Sequence, residues 1–167
     1  MPEAVALLAF VTLQRLAELV WGRANERRLR AAGAIEAGAG HYPLIVLVHA
    51  AWLAALWLFG WGKPLIWPWV AGFFVLQAAR AWVLATLGRR WTTRVLVMPG
   101  ETLVRRGPYR LVSHPNYLVV ALEIPVLPLA LGLPWLALGF GLANLAVLAL
   151  RLRVEAKALT LATPRRT

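Results

Sequence analysis

Five long apolar runs, with nearly all the charge sorted into the gaps between them, leave this chain few ways to fold. They extend from about Pro2 to Trp21, Pro43 to Trp61, Pro64 to Leu87, Tyr117 to Leu133 and Pro134 to Leu150. About 20 apolar residues cross the hydrocarbon core of a bilayer as a helix. The last two runs are shorter and meet at Gly132-Leu133-Pro134, which reads as a tight helical hairpin. Soluble strands fit poorly, because the runs are too long and do not alternate. The expected fold is therefore all-α and integral to the membrane, with five transmembrane helices in a single domain over residues 1–167. Residues 1–88 supply three N-terminal helices, and residues 89–160 a cytosolic motif-bearing loop, the hairpin and a C-terminal tail. The first run lacks a basic flank and a clear small-residue cleavage site, so it is expected to stay as an anchor.

The charge gives an orientation. Arg23, Arg27, Arg28 and Arg30 follow the first run, and Arg89, Arg90, Arg94, Arg105, Arg106 and Arg110 lie between the third and fourth. Arg151, Arg153, Lys157, Arg165 and Arg166 follow the fifth. Alternate gaps thus carry fifteen basic residues on one side against Lys63 alone on the other. The positive-inside rule puts the N-terminus outside and the C-terminus in the cytoplasm. A net charge of +11 spread this way points to a membrane and away from nucleic acid. Trp21, Trp61, Trp67 and Trp91 fall near run ends, where an interfacial aromatic belt belongs.

Polar residues inside the runs are expensive in lipid and narrow the search for a site. Arg15 and Glu18, three apart, are expected to pair on one helix face, as are Gln77 and Arg80. Helix-to-helix glue is an even alternative to a functional role for Arg15, Glu18 and Gln77. Glu123 and Asn144 lie in the hairpin, and a cavity lined by them and by first-helix residues, with Trp91 nearby, is the expected place for an acceptor. Glu36 and His41 read as solvated loop residues.

The longest basic gap, Trp91 to Tyr117, contains Gly107-Pro108-Tyr109-Arg110 and His114-Pro115-Asn116-Tyr117. Each proline fixes its own φ and restrains its predecessor, so the backbone beside His, Tyr and Arg is stiff enough to wall a polar pocket. No Cys and no Asp are present, and Ser113 is the single Ser, which removes nucleophile triads. His41, His49 and His114 are scattered, so no metal is expected. No glycine-rich phosphate loop of Walker or dinucleotide type occurs. What remains is chemistry by positioning around a cofactor that brings its own reactive group, and methyl transfer from S-adenosylmethionine (SAM) fits.

Gly107-Pro108-Tyr109-Arg110-x-x-x-His114-Pro115-x-Tyr117, followed by Arg151-x-x-x-Glu155-x-x-x-Leu159, resembles the isoprenylcysteine carboxyl methyltransferase family. Similar segments occur in membrane phospholipid methyltransferases and in sterol and steroid reductases. Asn25, Gly33-Ala-Ile-Glu36, Gly40-His41-Tyr42-Pro43, Trp91-Thr-Thr and Glu123-Ile-Pro look like bacterial members associated with type III polyketide synthases, which O-methylate alkylpyrones or alkylresorcinols. The resemblance implies an inner-membrane SAM-dependent O-methyltransferase acting on a lipophilic small molecule that enters from the bilayer lipids, with a functional link to such a synthase. It also implies that His114, Pro115, Tyr117, Pro108 and Tyr109 shape the cofactor site. Arg151 and Glu155 are implied beside the reacting groups, with Glu155 also touching the cofactor. Two positions depart from the family pattern: Ser113 stands where Arg is usual, and Ala156 where a second Glu is usual. The competing readings are an NADPH-using membrane reductase and a non-enzymatic lipid-binding protein.

Overall fold

In the computed structural model, which describes residues 2–98 and 104–162, the chain is a helical bundle with a small structured cap at one end. Its helices are α1 (Pro2–Ala31), α2 (Tyr42–Gly60), α3 (Trp67–Leu87), α4 (Pro115–Ala130) and α5 (Pro134–Ala162). Four of them are long and apolar enough to cross a membrane, and α4, at 16 residues, is shorter.

Two helices outrun their apolar cores. Helix α1 has 30 residues and α5 has 29, roughly 45 Å each at 1.5 Å per residue, against about 30 Å of hydrocarbon. The expected break at Trp21 is absent because Gly22 to Ala31 contains strong helix formers and no proline. Arg23, Arg27, Arg28 and Arg30 therefore ride on a helix rather than a loop. The last helix likewise continues past Leu150 through Arg151 and Glu155. These two projecting ends carry basic residues.

Helix α4 is punctuated by prolines. His114 precedes it in non-helical conformation, and Pro115 takes the first turn, where a missing N–H is harmless. Pro128 cannot donate to the Ile124 carbonyl, and the Trp52 indole supplies that hydrogen bond instead at 3.0 Å. The Ile66 N–H caps the Ala130 carbonyl at 2.8 Å. The hairpin turn falls as expected, with Gly132 at φ +66°. Leu8, Trp52, Leu56, Phe73, Ile124 and Leu127 fill the apolar core between the helices.

The all-α expectation needs one addition. Strands β1 (Ile35–Glu36) and β2 (Leu96–Val97) pair antiparallel, Ile35 opposite Val97, and the Ala37 N–H extends the ladder to the Val95 carbonyl at 2.9 Å. This clip ties the loop after α1 to the long basic gap.

Candidate functional site

A cavity of about 750 Å³ lies where the two projecting helix ends meet the basic gap. Leu29 of α1, Leu87 at the end of α3, the segment around β2, Tyr109, Ser113, His114, Asn116, Tyr117, Arg151 and Glu155 line it. Tyr109 belongs to a 3-10 turn over Gly107–Arg110. Gly107 has φ +57° and packs against Thr86, where a Cβ would meet Oγ1 at 2.5 Å, so glycine is required for the turn to dock on α3.

The polar wall is built from α4 and α5. The Tyr117 hydroxyl donates to Glu155 Oε2 and accepts from Arg151 Nε at 2.9 Å. The His114 ring stacks parallel on Tyr117, centroids 5.4 Å apart, with Nδ1 3.9 Å from Glu155 Oε1. The Arg151 guanidinium lies 5.2 Å from the Tyr117 ring centre. Residues separated by 34 and 38 positions in sequence are thus joined side chain to side chain. Burial, and then the Glu155 charge, push the Tyr109 hydroxyl up to about 12, so it stays a neutral donor at working pH.

The lining from Arg94 to Val97 hangs on the clip. Glu36 accepts from Arg30 and from Arg94 Nη1, the latter at 2.5 Å, and Arg94 sits 4.0 Å over the Tyr42 ring. Burial opposes the Glu36 charge, but the hydrogen bonds from Arg94 and Arg30 outweigh it and hold its carboxyl below the usual range. Tyr42 donates to Thr93 Oγ1 at 3.1 Å, and Thr93 donates to Glu26 at 2.7 Å. Glu36 is therefore a tie between helix end and loop, not the solvated residue expected. The His41 and Leu159 side chains, residues 99–103, Arg165 and Arg166 lie outside what is described.

Of the residues expected at the site, Trp91, Tyr109, His114, Tyr117, Arg151 and Glu155 line one cavity. Pro108 and Pro115 are buried behind it and set its backbone. Glu123 and Asn144 do not line it. Both are fully buried: Asn144 Nδ2 lies 3.5 Å from the Val120 carbonyl, and Glu123 joins a charge cluster among α1, α3 and α4. There Arg80 donates to Glu18 at 2.5 Å and to Glu123 at 3.2 Å. Arg15 reaches Glu123 at 2.6 Å and Glu18 at 3.1 Å, the latter being the expected i, i+3 pair. Gln77 donates to Glu123 at 2.5 Å rather than pairing with Arg80 as expected.

Sequence reading missed Glu26 and Leu29 because it ended the first helix at Trp21. The unbroken run of helix formers after that point was the available signal.

The family model for isoprenylcysteine carboxyl methyltransferase matches residues 69–161, spanning both halves of the polar wall. The chain belongs to the isoprenylcysteine carboxyl methyltransferase family. It is also similar to the uncharacterized protein YpbQ of Bacillus subtilis (strain 168), 38% identical over 158 residues that cover 92% of this chain and 94% of that one. No solved structure matches significantly. Membership in this methyltransferase family supports a multi-pass membrane methyltransferase and does not favour the reductase reading.

Proposed function

We propose that the protein is a SAM-dependent O-methyltransferase of a lipophilic acceptor, an alkylpyrone, alkylresorcinol or prenylcysteine-like carboxylate, in a bacterial inner membrane. The N-terminus lies outside and the cavity faces the cytoplasm, where the fifteen basic residues collect. One observation carries the reading: the Arg151–Tyr117–Glu155 hydrogen-bonded chain, with His114 stacked on it, walls a cavity of ligand size.

The residues present suit the cofactor. Glu155 offers an anion to an amino or sulfonium group, Arg151 offers a cation to a carboxylate, and the His114 and Tyr117 rings give flat surfaces between them. When bound, SAM supplies a methyl group already activated by its sulfonium charge. Tyr117 donates its O–H hydrogen bond to Glu155 and accepts one from the Arg151 Nε–H, which fixes all three side chains in one geometry. Arg151 holds the ionised oxygen of a carboxylate or an acidic pyrone enol, and neither needs a strong base. A resorcinol does need one, and Glu155 takes that proton. A type III polyketide synthase would supply either polyketide acceptor.

The test is purified protein in nanodiscs with methyl-labelled SAM and each of the three acceptors. Label in an organic-soluble methyl ether or ester is the expected result. Failure to bind SAM by calorimetry would end this reading.

A further inference from the structure

Trp91 is a buried side chain whose N–H has no hydrogen-bond acceptor among the described residues. It is 4% exposed, it lines the cavity, and its indole Nε1 is buried with no partner among the described residues. A buried, unpaired N–H is costly, so its persistence needs a reason.

The ring is held from several sides. Asn25, fully buried on α1, donates to the Trp91 carbonyl at 2.8 Å and lies 3.3 Å from the Gly88 carbonyl. Trp21 stacks on the indole at 5.4 Å and 28°. Gly22 lets α1 come close, since a Cβ there would lie 3.2 Å from Trp91 Cζ3. Cζ3 belongs to the benzene edge, which therefore abuts α1. The pyrrole N–H is at the other end of the bicycle, away from the Gly22 contact.

We propose that Trp91 is a specificity-determining donor for the methyl acceptor, giving its N–H to a second, non-reacting oxygen beside the one that is methylated. The inference rests on the methyltransferase reading above. Two features assign the indole to the acceptor rather than to the cofactor. Around Trp91 the lining sets Leu29, Leu87 and Leu96 beside Arg90 and Arg94, which suits a hydrocarbon chain with an anionic head, whereas the Arg151–Tyr117–Glu155 chain belongs to α4 and α5. Trp21, its stacking partner, is itself exposed on the outer surface, so this end of the cavity is one ring away from lipid. A hydrocarbon-bearing ligand enters there with its polar head pointing inward. A carboxylate or a pyrone carries a carbonyl-type second oxygen, and a 3-alkylphenol of equal chain length carries none. A site holding a buried donor discriminates against the analogue that leaves it unpaired.

The experiment compares wild type with Trp91→Phe, and with 3-benzothienylalanine at position 91, which keeps the bicycle and removes only the N–H. The expected result is an about tenfold fall in the kcat/KM preference for alkylpyrone over 3-alkylphenol, with the SAM Kd unchanged. An equal loss on both acceptors, or weakened SAM binding, overturns the proposal. If wild type binds no SAM, the functional reading fails separately. The donor role is then judged by the ¹⁵N-indole resonance missing from Trp91→Phe. A downfield shift on adding alkylpyrone supports it, and no shift at saturation overturns it.

Discussion

Tyr117 makes two hydrogen bonds through one oxygen, and both partners are on a different helix. Replacing it with Phe keeps the ring that stacks on His114 but unlinks Arg151 from Glu155. Tyr117→Phe is expected to lower kcat about tenfold with little change in thermal midpoint, measured with labelled SAM and by calorimetry. At saturating SAM, Glu155→Gln separates the acceptors: resorcinol methylation should fall about a hundredfold because the base is lost, and pyrone methylation much less. A resorcinol rate that survives the substitution would remove Glu155 from proton transfer. That these residues share one cavity was legible in the sequence because the motif names them and Pro108 and Pro115 limit where the backbone beside Tyr117 can go. Glu123 and Asn144 were not, because closeness to the loop along the chain does not say which helix face a side chain occupies. The three-helix charge cluster that claims Glu123 is set by tertiary packing.

The elements around the cavity differ in how much of them the sequence exposes. The hairpin could be placed from Gly132 and Pro134, whose backbone needs are local. The clip of β1 and β2 could not, since two residues per strand make no pattern and the Glu36 bridge to Arg30 and Arg94 beside the pairing comes from tertiary packing. That bridge has a pH signature. Because the Glu36 carboxyl is held below its unfolded value, its contribution is fully present above the ordinary carboxylate range. It is lost as pH falls through the folded value. Protection factors at residues 92–97, corrected for the slower intrinsic exchange at low pH, should fall on acidification in wild type, while Glu36→Gln should already show low protection at neutral pH. Equal, pH-independent protection in both would show that the clip is held by backbone pairing alone.

At the scale of the whole molecule, orientation and the buried charges are linked. The chain has no Cys, so single cysteines report sidedness without background. Lys63→Cys is expected to label from outside intact cells and Arg110→Cys only after permeabilisation, and the reverse pattern would invert the topology. Between those faces, Arg15, Arg80, Glu18 and Glu123 bring two positive and two negative charges together from three helices. Their sum is zero, which is what allows Glu123 to be fully buried. Removing one member leaves the other three with an uncompensated charge in a medium that cannot solvate it. Glu123→Gln alone is expected to destabilise the bundle by about 3–5 kcal/mol, and Arg15→Gln by a comparable amount. The double variant restores neutrality, keeps amide groups that can still hydrogen-bond, and should recover much of either loss. Thermal unfolding of the four proteins in nanodiscs gives the coupling directly. A strongly favourable coupling means that α1 and α4 are locked by charge balance, which holds Tyr117, six residues before Glu123 on the same helix, in register with Arg151. Simple additivity would mean that the apolar core aligns these helices unaided.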